Sequence, residues 1–266
     1  MNENNKSITP SVTTPASHEE PDAQIDGSSG EDTNPDISAF SIVFTNAQLP
    51  ANISGKIQQN ILSNPFFILE LTAILQSDPY LWILVDKERS LSGNYEPQDL
   101  VELNNGSYRI NRDDLYLRNA AAASLEEMAS AARAEGLVLT ASSAYRSYSY
   151  QVQLYQRYVN EMGQNAADKI SARPGHSQHQ LGLVVDFGSI DDSFALTGES
   201  RWLTANASRF GWSLSYPQGY EGVTGYSWES WHYRYMGKAL AAFIDNYFNG
   251  IQQYALRFIH EWIKLN

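Results

Sequence analysis

Residues 171–188 read SARPGHSQHQLGLVVDFG, and this stretch sets how the rest of the chain is read. It brings two imidazoles, His176 and His179, and one carboxylate, Asp186, to either side of Gly182, ahead of and inside a short apolar run. A second short segment, Glu229-Ser-Trp-His232, offers another imidazole and another carboxylate. Two histidines and one carboxylate are a common ligand set for catalytic zinc, with a fourth position left open for water. His179, Asp186 and His232 are the candidate ligands. Glu229, three residues before the last of them, is the candidate general base. The pattern predicts a zinc peptidase.

Each of these residues has an ordinary alternative. His179 and Asp186 alone would read as a surface histidine and a capping aspartate. Asp186 lies inside Val-Val-Asp-Phe, however, and a carboxylate buried in an apolar run is costly unless it is paired or metal-bound. Glu229 and His232 alone would read as a surface ion pair, but Trp228 and Trp231 flank them and favour a half-buried site. His176 is read as shaping the loop, because a fourth protein ligand would close the position that a catalytic zinc keeps for water. Arg146, in Ala-Tyr-Arg-Ser at a strand exit, is a candidate to face the developing oxyanion or to anchor a substrate carbonyl, against the surface salt bridge that is commoner for a lone arginine. Gln151 and Ser177 are candidate substrate hydrogen-bonders.

The whole chain has 266 residues, 42% hydrophobic, which is enough for one sizeable core. Its net charge is −12. Nucleic acid is a poor partner for such a chain, since phosphate binding needs a clustered positive field. Residues 1–38 hold eight acidic side chains, one basic one and no Trp or Tyr, so they read as a disordered acidic tail or linker, with the domain over 39–266. Cysteine is absent, which excludes disulfides and thiolate sites. No stretch is apolar for long enough to span a bilayer, and MNENNKSITP has no signal-peptide core.

Coarse periodicity places helices over 66–76, 118–134, 150–162, 166–171, 199–209, 236–248 and 251–264. Strands are expected over 81–85 (or an extended segment there), 137–142, 183–187 and 211–216. In the strand 183–187, Asp186 should point one way and Val185 and Phe187 the other. In the helix 150–162, Val152, Leu154, Tyr155, Tyr158 and Val159 form the expected apolar stripe. No dinucleotide, P-loop or nucleophile-elbow motif sits in the right setting. The fold class is α+β: a small antiparallel sheet carrying a zinc site, flanked by helices.

Taken together, Ser143-Ala-Tyr-Arg146-Ser with Gln151, the run from Ala172 to Asp186, Thr224-Gly-Tyr and Glu229-Ser-Trp-His232-Tyr-Arg-Tyr resemble the VanY-type D-alanyl-D-alanine carboxypeptidases and the related L,D-carboxypeptidases. These are LAS zinc peptidases, the group with the hedgehog-like fold. The resemblance runs in order over roughly 80–240. It implies zinc on His179, Asp186 and His232, Glu229 as base, Arg146 on the substrate carbonyl, and Ser177 and Gln151 along the substrate site. It also implies removal of a C-terminal D-alanine from peptidoglycan stem peptides, outside the bacterial cytoplasm. The open alternatives are an L,D-carboxypeptidase, a peptidoglycan endopeptidase and a non-catalytic binding module. Three positions depart from the family pattern: Ser230 stands for its usual Pro, Ser215 for an Arg before Tyr-Pro, and Gly219-Tyr220 for Gly-Lys. No ligand and no base is lost, so they bear on substrate preference.

Overall fold

A computed structural model describes residues 37–63 and 66–265. The tail expected over 1–38 lies outside the described residues up to 36. A helix opens at Ile37, just inside that boundary. Ten helices are described: α1 (Ile37–Asn46), α2 (Ala51–Ser63), α3 (Phe66–Leu75), α4 (Asn119–Ala134), α5 (Tyr148–Met162), α6 (Gln164–Ile170), α7 (Gly198–Asn206), α8 (Glu221–Thr224), α9 (Lys238–Phe248) and α10 (Gln252–Leu265). Seven strands accompany them: β1 (Leu100–Glu102), β2 (Arg109–Ile110), β3 (Tyr116–Arg118), β4 (Thr140–Ser143), β5 (Val184–Phe187), β6 (Trp212–Leu214) and β7 (His232–Tyr235).

The main sheet has the order β2-β4-β5-β7-β6. Its β4-β5, β5-β7 and β7-β6 pairings are antiparallel, and only the edge strand β2 runs parallel to β4. The expected small antiparallel sheet flanked by helices is present, with one parallel edge added. Register does the functional work here. Asp186 pairs with His232 across β5-β7, and Ser143 pairs with Asp186 across β4-β5 next to an irregularity in the ladder. Residues directly opposite on neighbouring strands project to the same face. One face therefore collects Ser143, Asp186, His232, Ser213 and Arg234.

The opposite face is apolar. Val185, Phe187, Trp212 and Tyr233 pack there against Leu125, Met128 and Ala129 of α4 and Leu203 of α7, all essentially buried. Burying side chains of this size contributes about 1.5–3 kcal/mol each relative to exposure. Gly136 takes φ +82 just past α4, as its place after the helix implied. A second core joins α1, α2 and α3 to α9 and α10 through Phe40, Ile57, Phe67, Phe243 and Phe258.

Three expectations need correction. The strand offered for 81–85 does not form: the segment is irregular after a 3₁₀ turn at Pro79–Leu81, and its carbonyls are taken by a side chain, Arg234 Nη2 donating to those of Leu81 and Ile83 at 3.0 and 2.9 Å. Helices α1 and α2 were not anticipated, although Ile53, Ile57 and Ile61 recur every four residues and are all buried. In α5 the expected apolar stripe does not face a core. Its one buried residue is Gln151, Val152 is exposed, and Leu154 and Tyr158 line an open cleft.

Candidate metal centre and active-site cleft

The chain positions its candidate ligands by local chemistry first. Ser177 Oγ accepts the His179 N–H at 3.3 Å and starts a 3₁₀ turn over Gln178–Leu181. Gly182 ends that turn with φ +69, where a Cβ would come within 2.9 Å of Leu100. The chain then enters β5 with Asp186 on the polar face. His232 opens β7 opposite it, and Glu229 sits in the preceding loop, its N–H bonded to the Tyr216 carbonyl at 3.0 Å.

His179, Asp186 and His232 each offer a ligand atom, and these atoms lie within 4.8 Å of one another. Among the described residues this is the cluster of three or more such groups able to hold a metal ion, and all three residues are buried. His179 Nε2 is 3.2 Å from Asp186 Oδ2, and His232 Nδ1 is 3.1 Å from Asp186 Oδ1. Glu229 Oε2 lies 3.2 Å from the same His232 nitrogen. His176 is elsewhere, its Nδ1 on the Asp86 carbonyl at 2.7 Å, so it shapes the loop as expected. His260 is on α10, away from the cluster.

The donor set fits a cation. His179 Nδ1 lies 2.6 Å from the Ala144 carbonyl, which can only accept, so Nδ1 carries the proton. Burial, reinforced by the Arg146 charge, pushes the His179 pKa down to about 4, so the ring is neutral at ordinary pH. Its bare Nε2 then faces a carboxylate oxygen, acceptor against acceptor, an arrangement that a metal ion between them resolves. Asp186 Oδ1 is buried and makes no well-formed hydrogen bond. Burial alone would raise the Asp186 pKa, yet the two imidazoles and Arg146 hold it well below the usual carboxylate range. For His232, burial acts downward, but the Asp186 and Glu229 carboxylates beside Nδ1 outweigh it and push the pKa up to about 9.

Arg146 closes one side. Its Nε and Nη2 donate to Ser143 Oγ at 3.0 and 2.8 Å, and Nη2 also donates to Asp186 Oδ2 at 2.8 Å. The guanidinium lines a cleft of about 450 Å³ together with Ser177, His179, Asp186, Glu229 and His232. Trp228 and Trp231 line it too, as their flanking positions suggested. A volume of this size suits a peptide rather than a single small ion.

Gln151 is the expected site residue that the fold puts elsewhere. It is 1% exposed, is not among the residues lining the cleft, and donates through Nε2 to the Ala172 carbonyl at 2.7 Å and Ser171 Oγ at 3.3 Å. Ser171 and Ala172 do line the cleft, so Gln151 holds its wall from behind. The residues overlooked in the sequence are Ser143, which orients Arg146, and Gln178, whose Oε1 lies 3.3 Å from His232 Nε2. Gln178 stands between Ser177 and His179 and reads as a mere spacer until the 3₁₀ turn aims it away from the cleft.

This geometry agrees with the comparisons. The family profile described as VanY, D-alanyl-D-alanine carboxypeptidase, matches residues 114–238. A D-alanyl-D-alanine carboxypeptidase of Enterococcus faecalis is 32% identical over 71% of this chain and 71% of its own length. The chain belongs to the VanY family of D-alanyl-D-alanine carboxypeptidases. Against its curated relatives it spans about two thirds of their length. The solved LD-carboxypeptidase LdcB, a structure described as revealing the basis of peptidoglycan recognition, aligns with a TM-score of 0.58 at 36% identity, covering 63% of this chain and 85% of that one. A mutant of a vancomycin-resistance D,D-pentapeptidase VanY, solved in complex with Zn(II), aligns with a TM-score of 0.54 at 31% identity over 69% of this chain and 99% of that one. Membership in the VanY family makes the chain an enzyme of the carboxypeptidase type and its fold that of the LAS peptidases. No helix among the described residues is long and apolar enough to cross a membrane.

Proposed function

We propose that this VanY-family enzyme hydrolyses the bond before the C-terminal D-alanine of peptidoglycan stem peptides, with zinc held by His179, Asp186 and His232. The observation that carries the reading is the convergence of those three buried side chains at the floor of a peptide-sized cleft, with Glu229 and Arg146 at its edge. When bound, zinc supplies Lewis-acid polarisation and lowers the pKa of a coordinated water toward ~7.

The chain's own residues do the rest. Glu229, with its carboxylate turned toward the cluster, takes the proton of the attacking water and returns it to the leaving amine. Arg146, locked by Ser143 and Asp186, presents fixed positive charge to the oxyanion that develops on the scissile carbonyl. Ser177, on the cleft wall, is the substrate hydrogen-bonder of this reading. Gln151 serves one step removed, by fixing the wall segment. Residues 39–266 form the peptidase domain and 1–38 its acidic tether. Since stem peptides lie outside the cytoplasmic membrane, the site of action is extracytoplasmic.

Similarity to LdcB supports a second reading, an L,D-carboxypeptidase acting on tetrapeptide stems with the same residues in the same roles. Incubating the zinc-loaded protein with muramyl pentapeptide and, separately, tetrapeptide, followed by mass spectrometry, separates the two. Loss of one D-alanine from the pentapeptide alone is the expected result. Loss from the tetrapeptide alone moves the enzyme to the L,D class. Loss from neither overturns both readings.

A further inference from the structure

A chain of buried amides runs from the C-terminal helix to His232. Gln252, at the start of α10, donates from Nε2 to the Ser213 carbonyl at 3.3 Å. Its Oε1 accepts from Gln178 Nε2 at 3.4 Å. Gln178 Oε1 in turn accepts the Ser215 hydroxyl at 2.8 Å and faces His232 Nε2 at 3.3 Å. Gln178, Gln252 and Ser215 are all within 2% of full burial, so no solvent competes for these groups.

The direction of this chain is fixed at its far end. A main-chain carbonyl only accepts, so Gln252 must turn its NH₂ to Ser213 and its oxygen to Gln178. Gln178 must then turn its own NH₂ to Gln252 and its oxygen to His232. Turning either amide over would set two acceptors face to face in a dry interior, with a penalty of about 1–3 kcal/mol for the unmade bond. His232 Nε2, meeting an oxygen, has to carry the proton. The proton that a metal displaces is therefore the one on Nδ1, the nitrogen beside Asp186 and Glu229.

We infer that Gln252, Gln178 and Ser215 are positioning residues that set the His232 tautomer, so that Nδ1 is the nitrogen presented to the metal. The same device serves His179, where the Ala144 carbonyl does directly what Ser213 does through two amides. It also gives α10 a role at the active site from the far side of the sheet's polar face. Outer partners of metal-binding histidines alter metal affinity by about 10–100-fold.

The inference rests on His232 being a ligand, and the test keeps the two apart. Zinc affinity of the full chain is measured by chelator competition, beside long-range ¹H–¹⁵N spectra that report which His232 nitrogen is protonated. Zinc-loaded wild type should show the one remaining His232 proton on Nε2. Gln252→Leu and Gln178→Met should each weaken zinc binding about 10–100-fold, with His232 shifting toward a mixture of tautomers. Gln178→Glu should keep near wild-type affinity, because burial holds its carboxyl neutral, with the O–H donating to Gln252 Oε1 and the carbonyl oxygen still accepting from Nε2. If Gln252→Leu does not fold, the contrast of Gln178→Met with Gln178→Glu decides alone, as both replace one buried side chain and only Glu restores the acceptor. Unchanged zinc affinity in the Met and Leu variants, while His232→Ala loses zinc, overturns this inference only. Zinc retained in His232→Ala overturns the ligand reading and this inference with it.

Discussion

Arg146 Nη2 donates to Asp186 Oδ2 at 2.8 Å, the same carboxylate oxygen that His179 Nε2 approaches at 3.2 Å. A cation at the rim and a proposed metal ligand on the floor thus share one atom. The guanidinium reaches this position because a second donor, Nε, is held with Nη2 on Ser143 Oγ. A lysine has a single point charge and cannot make that fork. Arg146→Lys should therefore lower kcat/KM by about 10- to 100-fold, the worth of a charge-assisted hydrogen bond. Zinc stoichiometry should stay at the wild-type level. Unaltered kcat/KM would remove Arg146 from the machinery.

Glu229 and His232 are only 3.2 Å apart, yet they should fail differently. Glu229→Ala should retain zinc and lose about 10²–10⁴-fold in kcat, the usual contribution of a general base. His232→Ala should lose the metal itself. Metal analysis by mass spectrometry alongside turnover distinguishes them, and full activity in Glu229→Ala would end its assignment as the base.

Gln151 offers a test of position against appearance. It is buried and bonded to the Ala172 carbonyl, so Gln151→Leu should lower the unfolding free energy by about 1–3 kcal/mol, through the unpaired carbonyl left behind. KM for the stem peptide should stay within a few-fold of wild type. A large rise in KM with unchanged urea stability would return Gln151 to the substrate site.

Asp168 accepts Arg173 Nε and Nη2 at 2.9 and 2.7 Å and the Tyr155 hydroxyl at 2.7 Å. The Arg173 hydrogen bonds, with Tyr155, lower its pKa from 3.8 to about 2 in the folded protein. A carboxylate whose folded pKa is depressed stabilises the protein above its unfolded pKa, and that stability fades as pH falls toward the folded value. The difference in urea midpoint between wild type and Asp168→Asn should therefore be constant above about pH 4 and close toward pH 2. A difference that persists at pH 2 would mean that the aspartate acts through packing instead.

The sequence by itself determined the fold class and singled out the candidate ligands and base, because those depend on local order. His179, Gly182 and Asp186 must follow one another through a turn into a strand, and Glu229 and His232 must sit three apart, so their chemistry is written in their spacing. The apolar alternation that places Val185 and Phe187 opposite Asp186 is likewise local, and the sheet obeys it. Helix α2 was legible in the four-residue recurrence of Ile53, Ile57 and Ile61 but was obscured by the turn residues around it.

The tertiary structure decided what distance along the chain conceals. Gln151 and Gln178 are the same residue type, and no local pattern separates a wall anchor from a histidine partner. Gln178 meets Gln252 across 74 positions and His232 across 54, which only the closed fold brings within hydrogen-bond reach. An amide has no orientation until a partner fixes it. Here the partner is the carbonyl of Ser213 on β6, reached from a helix 39 positions further on. The identity of a ligand is a property of its residue, whereas the nitrogen it presents is a property of everything packed behind it.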